Sequence, residues 1–245
     1  MSSPTLPPIL SLATADEQTI KSALDTLFEP SAEIHALAIP LVRNSNSQGE
    51  GEGESSSRVA ANPGISPDIP VPVSISGPGR FRATTVPAEV PPSPSSTSYG
   101  SLIDAIGDAI KSLIPSSSES EIERKREKLH NILGSHPRLG AKKVESAQSR
   151  AEQARLQQES AGSGEAEVEK LASLNREYEA RFPGLRYVVF VNGRGRDVIM
   201  QDMRRRIDRG DISAEEREGV QAMIDIAHDR AKKLESAASA ASAAS

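Results

Sequence analysis

The chain has 245 residues, a formal charge of −5, no cysteine and 3% aromatic residues. Without cysteine it has no disulfide, thiolate metal site or thiol nucleophile, and a reducing compartment fits. Its acidic and basic residues are interspersed, so no concentrated basic face points to nucleic acid. A sheet-built core needs more aromatic and β-branched side chains. Ala, Leu, Glu, Arg and Lys dominate outside the Ser/Pro-rich stretches, so the expected class is all-α, one helical bundle domain.

Residues 1–13 read as a flexible start, without the basic and apolar pattern of a signal peptide. Thr14 and Glu17 have the spacing of a capping box, and Ile20, Leu24, Leu27 and Phe28 follow at helical spacing up to Pro30. Ile34, Leu37, Ala38 and Leu41 mark a second helix over 31–42, which Pro40 should kink or end. From 44 to 98 Gly-Glu repeats, Ser runs and many Pro leave too few apolar residues to offset the entropy of ordering, which predicts a disordered insert within the domain.

Helical signals resume at Ser101, with Ser101 and Asp104 as its cap and Leu102, Ile106, Ile110 and Leu113 as its stripe. After a polar turn at Ser116–Ser120, a helix over 122–133 is stopped by Gly134. Residues 144–158 form a polar helix, 160–164 a break, and 166–181 a stronger helix carrying Leu171, Leu174 and Tyr178. Tyr187–Val191 is the one strand-like run. Residues 197–207 are amphipathic, and Arg204-Arg205-Arg206, flanked by Asp202 and Asp208, reads as a solvated face. Ser213 and Glu216 cap a final helix through Leu234, leaving 235–245 as a disordered tail and 14–234 as the domain. No apolar run approaches the roughly 20 residues of a membrane span, and the last residues, Ala-Ala-Ser, carry no peroxisomal address. Cytoplasm is the expected location, with neither membrane nor nucleic acid as a partner.

Few residues point to chemistry. Asn192-Gly193-Arg194-Gly195 lacks the third glycine of a dinucleotide fingerprint, since position 198 is Val, and it reads as a turn into a helix. The four histidines (35, 130, 136 and 228) include no i, i+4 pair, so no metal site is expected. His136 stands apart. Pro137 pushes it out of the helical region at a helix exit, which fixes the imidazole as a general acid/base requires, although taken alone a turn histidine is more often structural.

His136-Pro137-Arg138-Leu139-Gly140, Ser149-Arg150-Ala151-Glu152-Gln153, Leu174-Asn175-x-x-Tyr178-x-x-Arg181-Phe182, the Tyr187–Val191 run and Ile226-Ala227-x-x-Arg230 occur in that order. Together they resemble the successive motifs of 2-oxo-4-hydroxy-4-carboxy-5-ureidoimidazoline (OHCU) decarboxylase, and Leu27-Phe28-Glu29 resembles its opening helix. The resemblance implies an all-helical, cofactor-independent carboxy-lyase that makes (S)-allantoin in urate breakdown, and a homodimer. It implies His136 as catalytic acid/base, Glu152 as its carboxylate partner, and Arg230 as the cation facing the substrate carboxylate. It further implies Pro137 fixing the turn, Ser149 and Gln153 lining the pocket, and backbone amides near Phe190 and Val191 binding the ring carbonyl or ureido group. The sequence departs from the family pattern at Ala154–Gln158 and at Phe182–Arg186. Those departures leave two rivals: a non-catalytic interaction module of the same fold, and a decarboxylase of a related ureide.

Overall fold

Helices begin where a short polar side chain can reach the free amides of the first turn, and three of the starts differ from the sequence expectation. The computed structural model describes residues 5–44, 98–114, 119–140, 146–158 and 165–243. The insert predicted for 44–98, the Ser116–Ser120 turn and the 160–164 break fall on or beside residues outside that set. Helix α2 (Glu17–Phe28) is capped by extended Asp16, which accepts from the Thr19 N–H at 2.9 Å, not by Thr14. Thr14 lies too early, and its hydroxyl donates to the Ser11 carbonyl. Likewise Ser98, rather than Ser101, caps α4 (Tyr99–Lys111). Asp211, rather than Ser213, caps α9 (Ile212–Ala243). Glu216 does not serve as the box glutamate. It is buried, accepting from Arg126 Nε at 2.7 Å and His130 Nε2 at 2.9 Å. Asp16→Ala should therefore cost about 1 kcal/mol of unfolding free energy, and Thr14→Ala less than about 0.5, measured by urea titration.

The N-terminal stretch is not wholly loose. α1 (Ile9–Leu12) buries Leu12, and the Tyr99 hydroxyl donates to the Pro7 carbonyl at 2.7 Å. α3 (Ala32–Asn44) runs through Pro40 instead of ending there. α9 continues past Leu234 to Ala243, its last residues exposed, as Ala-rich sequence allows.

Among the described residues the fold is all-α, with nine helices and no strand. α9 is the axis: α2, α4 and α5 (Glu119–Gly134) pack on it, and α3 packs on α2, α4 and α5. Val220, Met223, Ile224 and Ala227 of α9 meet Ile20, Leu24, Leu27, Ile103 and Ile106 in one continuous apolar core. Close approach of α4 needs Gly107, where a Cβ would lie 2.6 Å from Ile224 Cδ1. No described helix is long and apolar enough to cross a membrane.

α7 (Glu165–Arg181) packs on α8 (Arg196–Arg209), and the chain between them runs over 185–191 without helix or strand. This is the strand-like run, but it pairs with no strand. Side chains hold it instead. Tyr187 packs edge-on to Tyr178, its ring lies under the Arg206 guanidinium, and its hydroxyl donates to Asp202 at 2.6 Å. Arg206 also donates to the Val188 carbonyl and the Glu215 carboxylate. Arg206 is therefore not part of a solvated face, although Arg204 and Arg205 are. Burial works against its charge, but Glu215 more than offsets that and raises its pKa. Asn192 and Gly193, both at positive φ, turn the chain into α8.

Candidate active site

Where α5 ends, the amides of Ser135 and His136 bond back to Ile132 and Leu133, and Pro137 forbids a further helical turn. The turn that follows is pinned on several sides. Gln153 donates to the Arg138 carbonyl at 3.2 Å and accepts from the Gly140 N–H at 3.1 Å. Asn175 on α7 donates to the Leu139 carbonyl, and Arg186 donates to the His136 carbonyl at 3.0 Å. Arg186, one of the departures from the family pattern, thus braces the histidine turn.

Gln153 belongs to α6 (Ala147–Gln158), and Ser149, Glu152 and Gln153 share one face by i, i+3, i+4 spacing. Glu152 meets Arg230 of α9 in a two-point ion pair, Nε to Oε1 at 2.8 Å and Nη2 to Oε2 at 2.9 Å. Arg230 is 2% exposed and also donates to Ser149 Oγ at 3.0 Å and to the Leu27 carbonyl. Behind it lies Glu29, 3% exposed, with Oε1 2.7 Å from Nη2. Burial disfavours the Arg230 charge, yet the two carboxylates raise its pKa and hold it protonated.

His136, Pro137, Ser149, Glu152, Gln153 and Val191 all line one cavity of about 50 Å³. Leu139, Tyr187, Val188, Val189 and Ile226 complete its wall, and sequence reasoning named none of these five as site residues. Phe190 is not in this wall. It lines a separate groove with Asn192, Arg194 and Arg206. Arg230 is not in the wall either and stands behind Glu152. Among the described residues, the backbone N–H groups of Val189, Phe190 and Val191 donate to no protein acceptor, since this run has no ladder partner.

His136 is 5% exposed, and its Nε2 is buried without a hydrogen-bond partner. Desolvation, then the Arg230 charge, pushes its pKa down to about 3, only partly opposed by Glu152. The imidazole is neutral at pH 7. An orphaned polar atom of this kind costs about 1–3 kcal/mol, which a bound ligand can repay. No group of three metal-ligating side chains gathers among the described residues.

The sequence profile described as OHCU decarboxylase matches residues 81–232, more than half of the chain. The chain belongs to the OHCU decarboxylase family. The matched stretch takes in every residue of the cavity wall and Arg230, and leaves out Glu29. No curated protein and no solved structure matches the chain. Decarboxylation is the chemistry the family name carries.

Proposed function

We propose that the chain is a carboxy-lyase converting OHCU to (S)-allantoin in urate breakdown, with His136 and Glu152 as catalytic residues and Arg230 orienting the substrate carboxylate. The observation that carries this reading is the neutral, unpartnered imidazole sharing one cavity wall with a carboxylate that an arginine fork grips.

The substrate supplies its own electron sink. When the bond from the ring carbon to the carboxylate breaks, CO2 leaves. The electron pair flows toward the adjacent imine, whose nitrogen takes one proton from solvent. The hydroxyl on the former carboxylate-bearing carbon then becomes a carbonyl. Neutral His136 accepts that hydroxyl proton and returns it to the neighbouring carbon on one face, giving a single enantiomer. One proton is consumed overall and no redox change occurs, so no cofactor is required.

The Nε/Nη2 edge of Arg230 is the edge carboxylates take bidentately. A substrate carboxylate competes with Glu152 for it, and the displaced Glu152 can orient and charge-stabilise the imidazole. Pro137 keeps the histidine turn rigid, while Ser149, Gln153 and the free N–H groups near Phe190 and Val191 meet the ring carbonyl and ureido oxygens. The bundle, the segment between α7 and α8 and the turn require nothing from a membrane or nucleic acid, and a cytoplasmic homodimer acting on this small anion is the form proposed.

The test mixes purified protein with freshly prepared OHCU and follows circular dichroism. The expected result is optically active allantoin forming well ahead of the spontaneous reaction. Racemic product at the uncatalysed rate would overturn the assignment.

A further inference from the structure

α6 carries three wall residues of the cavity, yet it has no apolar stripe. Between Ala147 and Gln158 the only apolar side chain larger than alanine is Leu156. α6 takes no part in the close helix pairings that build the bundle. Of its side chains from Ala147 to Ala154, Ser149 alone is buried. Among the described side chains of α6, residues 147–154, hydrophobic burial, the usual force that fixes a helix on a core, is absent. Polar contacts take its place: Gln153 holds the histidine turn and Glu152 holds Arg230, while the start of the helix is held by Glu29.

One oxygen of Glu29, Oε1, accepts from Ser146 Oγ at 3.0 Å and Ser149 Oγ at 2.6 Å, and lies 2.7 Å from Arg230 Nη2. Ser146 is itself the cap of α6, its hydroxyl accepting the Ser149 N–H at 3.1 Å. Glu29 therefore grips the capped start of α6 and the arginine that holds Glu152. Its backbone is forced to do so. At φ 74°, ψ 154° it occupies a region essentially reserved for glycine. The ψ suits a residue before proline, but the φ does not. A carboxylate at the C-terminal end of α2 is also opposed by the helix dipole. Strain and dipole both argue against a glutamate there unless its side chain has a task.

The cavity supplies the reason for one. About 50 Å³ holds one or two waters, so a yielding wall makes room at its inner end for a ring bearing carboxylate and ureido groups. Ile226, Tyr187 and Val188 are anchored in the apolar core. Among its described side chains, α6 is the wall without such an anchor.

We infer that Glu29 is a positioning residue, the latch that docks α6 over the cavity, and that α6 undocks to admit the substrate and redocks to set Glu152 beside His136.

The test is hydrogen exchange of the full chain, with kinetics, for Glu29→Gln and Glu29→Ala. Gln keeps the acceptor and loses the charge; Ala loses both. Amides of residues 149–154 should lose protection about tenfold in Gln and about a hundredfold in Ala, while α2 and α9 stay as in wild type. Weaker docking taxes the competent state, so KM should rise in the same order while kcat at saturation stays within about threefold. If both variants fail to fold, Ser146→Ala carries the test, with a several-fold loss confined to α6 expected. Unchanged α6 exchange overturns the proposal, as does loss of protection spread equally over α2 and α9. The kinetic part rests on the decarboxylase reading. The exchange part does not: faster α6 exchange in a protein inert toward OHCU would reject the reaction and keep the latch.

Discussion

His136→Asn lowers kcat/KM for OHCU by about 100- to 10,000-fold, the range for loss of a positioned proton carrier, or roughly 3–5 kcal/mol of transition-state stabilisation. Asparagine keeps a polar side chain of modest size at the turn, so the Arg186 and Gln153 braces on its backbone survive. The loss should appear in kcat, because the proton moves only once substrate is bound. The pH profile carries independent information. With the free imidazole held near pKa 3, kcat/KM should show no acid limb near the ordinary histidine value, and any acid limb should lie well below it. Activity of the Asn variant within about threefold of wild type would remove His136 from the proton path.

How far the site could be read from sequence depended on whether its signals were local. The turn at His136 was legible because Pro137 restricts the residue before it, a constraint written in two adjacent letters, but its place in a site came from the order of the motifs around it. Ser149, Glu152 and Gln153 were reached only through the ordered motifs of the resemblance, although their i, i+3, i+4 spacing does place them on one helix face. The apolar periodicity of 20–28, 102–110 and 220–227 gave helices that do pack as a core, since burial follows that spacing. Caps were misread because Thr14, Asp16, Ser98, Ser101, Asp211 and Ser213 are all competent chemically, and only geometry decides which stands just outside the first turn. Arg206 was misread because its partner Glu215 is on the next helix and its ring contact is across the segment between α7 and α8. Glu29 was noticed as part of a motif but not as a site residue. More than a hundred residues of chain separate it from Ser149, and no periodicity connects them. The one local hint was an acid at a helix C-terminus, against the dipole. Phe190 shows how a motif names neighbours that the fold separates. The resemblance names its backbone amide beside that of Val191, and the residue itself lines a neighbouring groove while Val191 lines the cavity.

Acid should destabilise this fold through His136 in a way one substitution can isolate. The folded pKa lies near 3 and the ordinary value is 6.5. Between the two, the unfolded chain binds a proton that the native protein excludes, so stability falls as pH falls through that window. The contribution is complete above about pH 6.5. At about pH 4.5 the wild type should have lost roughly 3 kcal/mol from this group alone, and on the order of 5 kcal/mol below pH 3. Carboxylates such as Glu216 and Asp202, whose pKa values are lowered by their partners against the effect of burial, add their own acid sensitivity. Wild type and His136→Asn share that part, and the difference between their urea-unfolding free energies cancels it. That difference should therefore move in favour of the variant as pH drops from about 7 to about 4.5, by roughly 2–3 kcal/mol. Parallel curves would mean that the imidazole is solvated or partnered in solution, and the orphaned Nε2 on which the proton path depends would no longer stand. A rising difference ties the two experiments together, because the desolvation that keeps His136 neutral and ready to accept a proton is the same desolvation that makes the fold acid-sensitive.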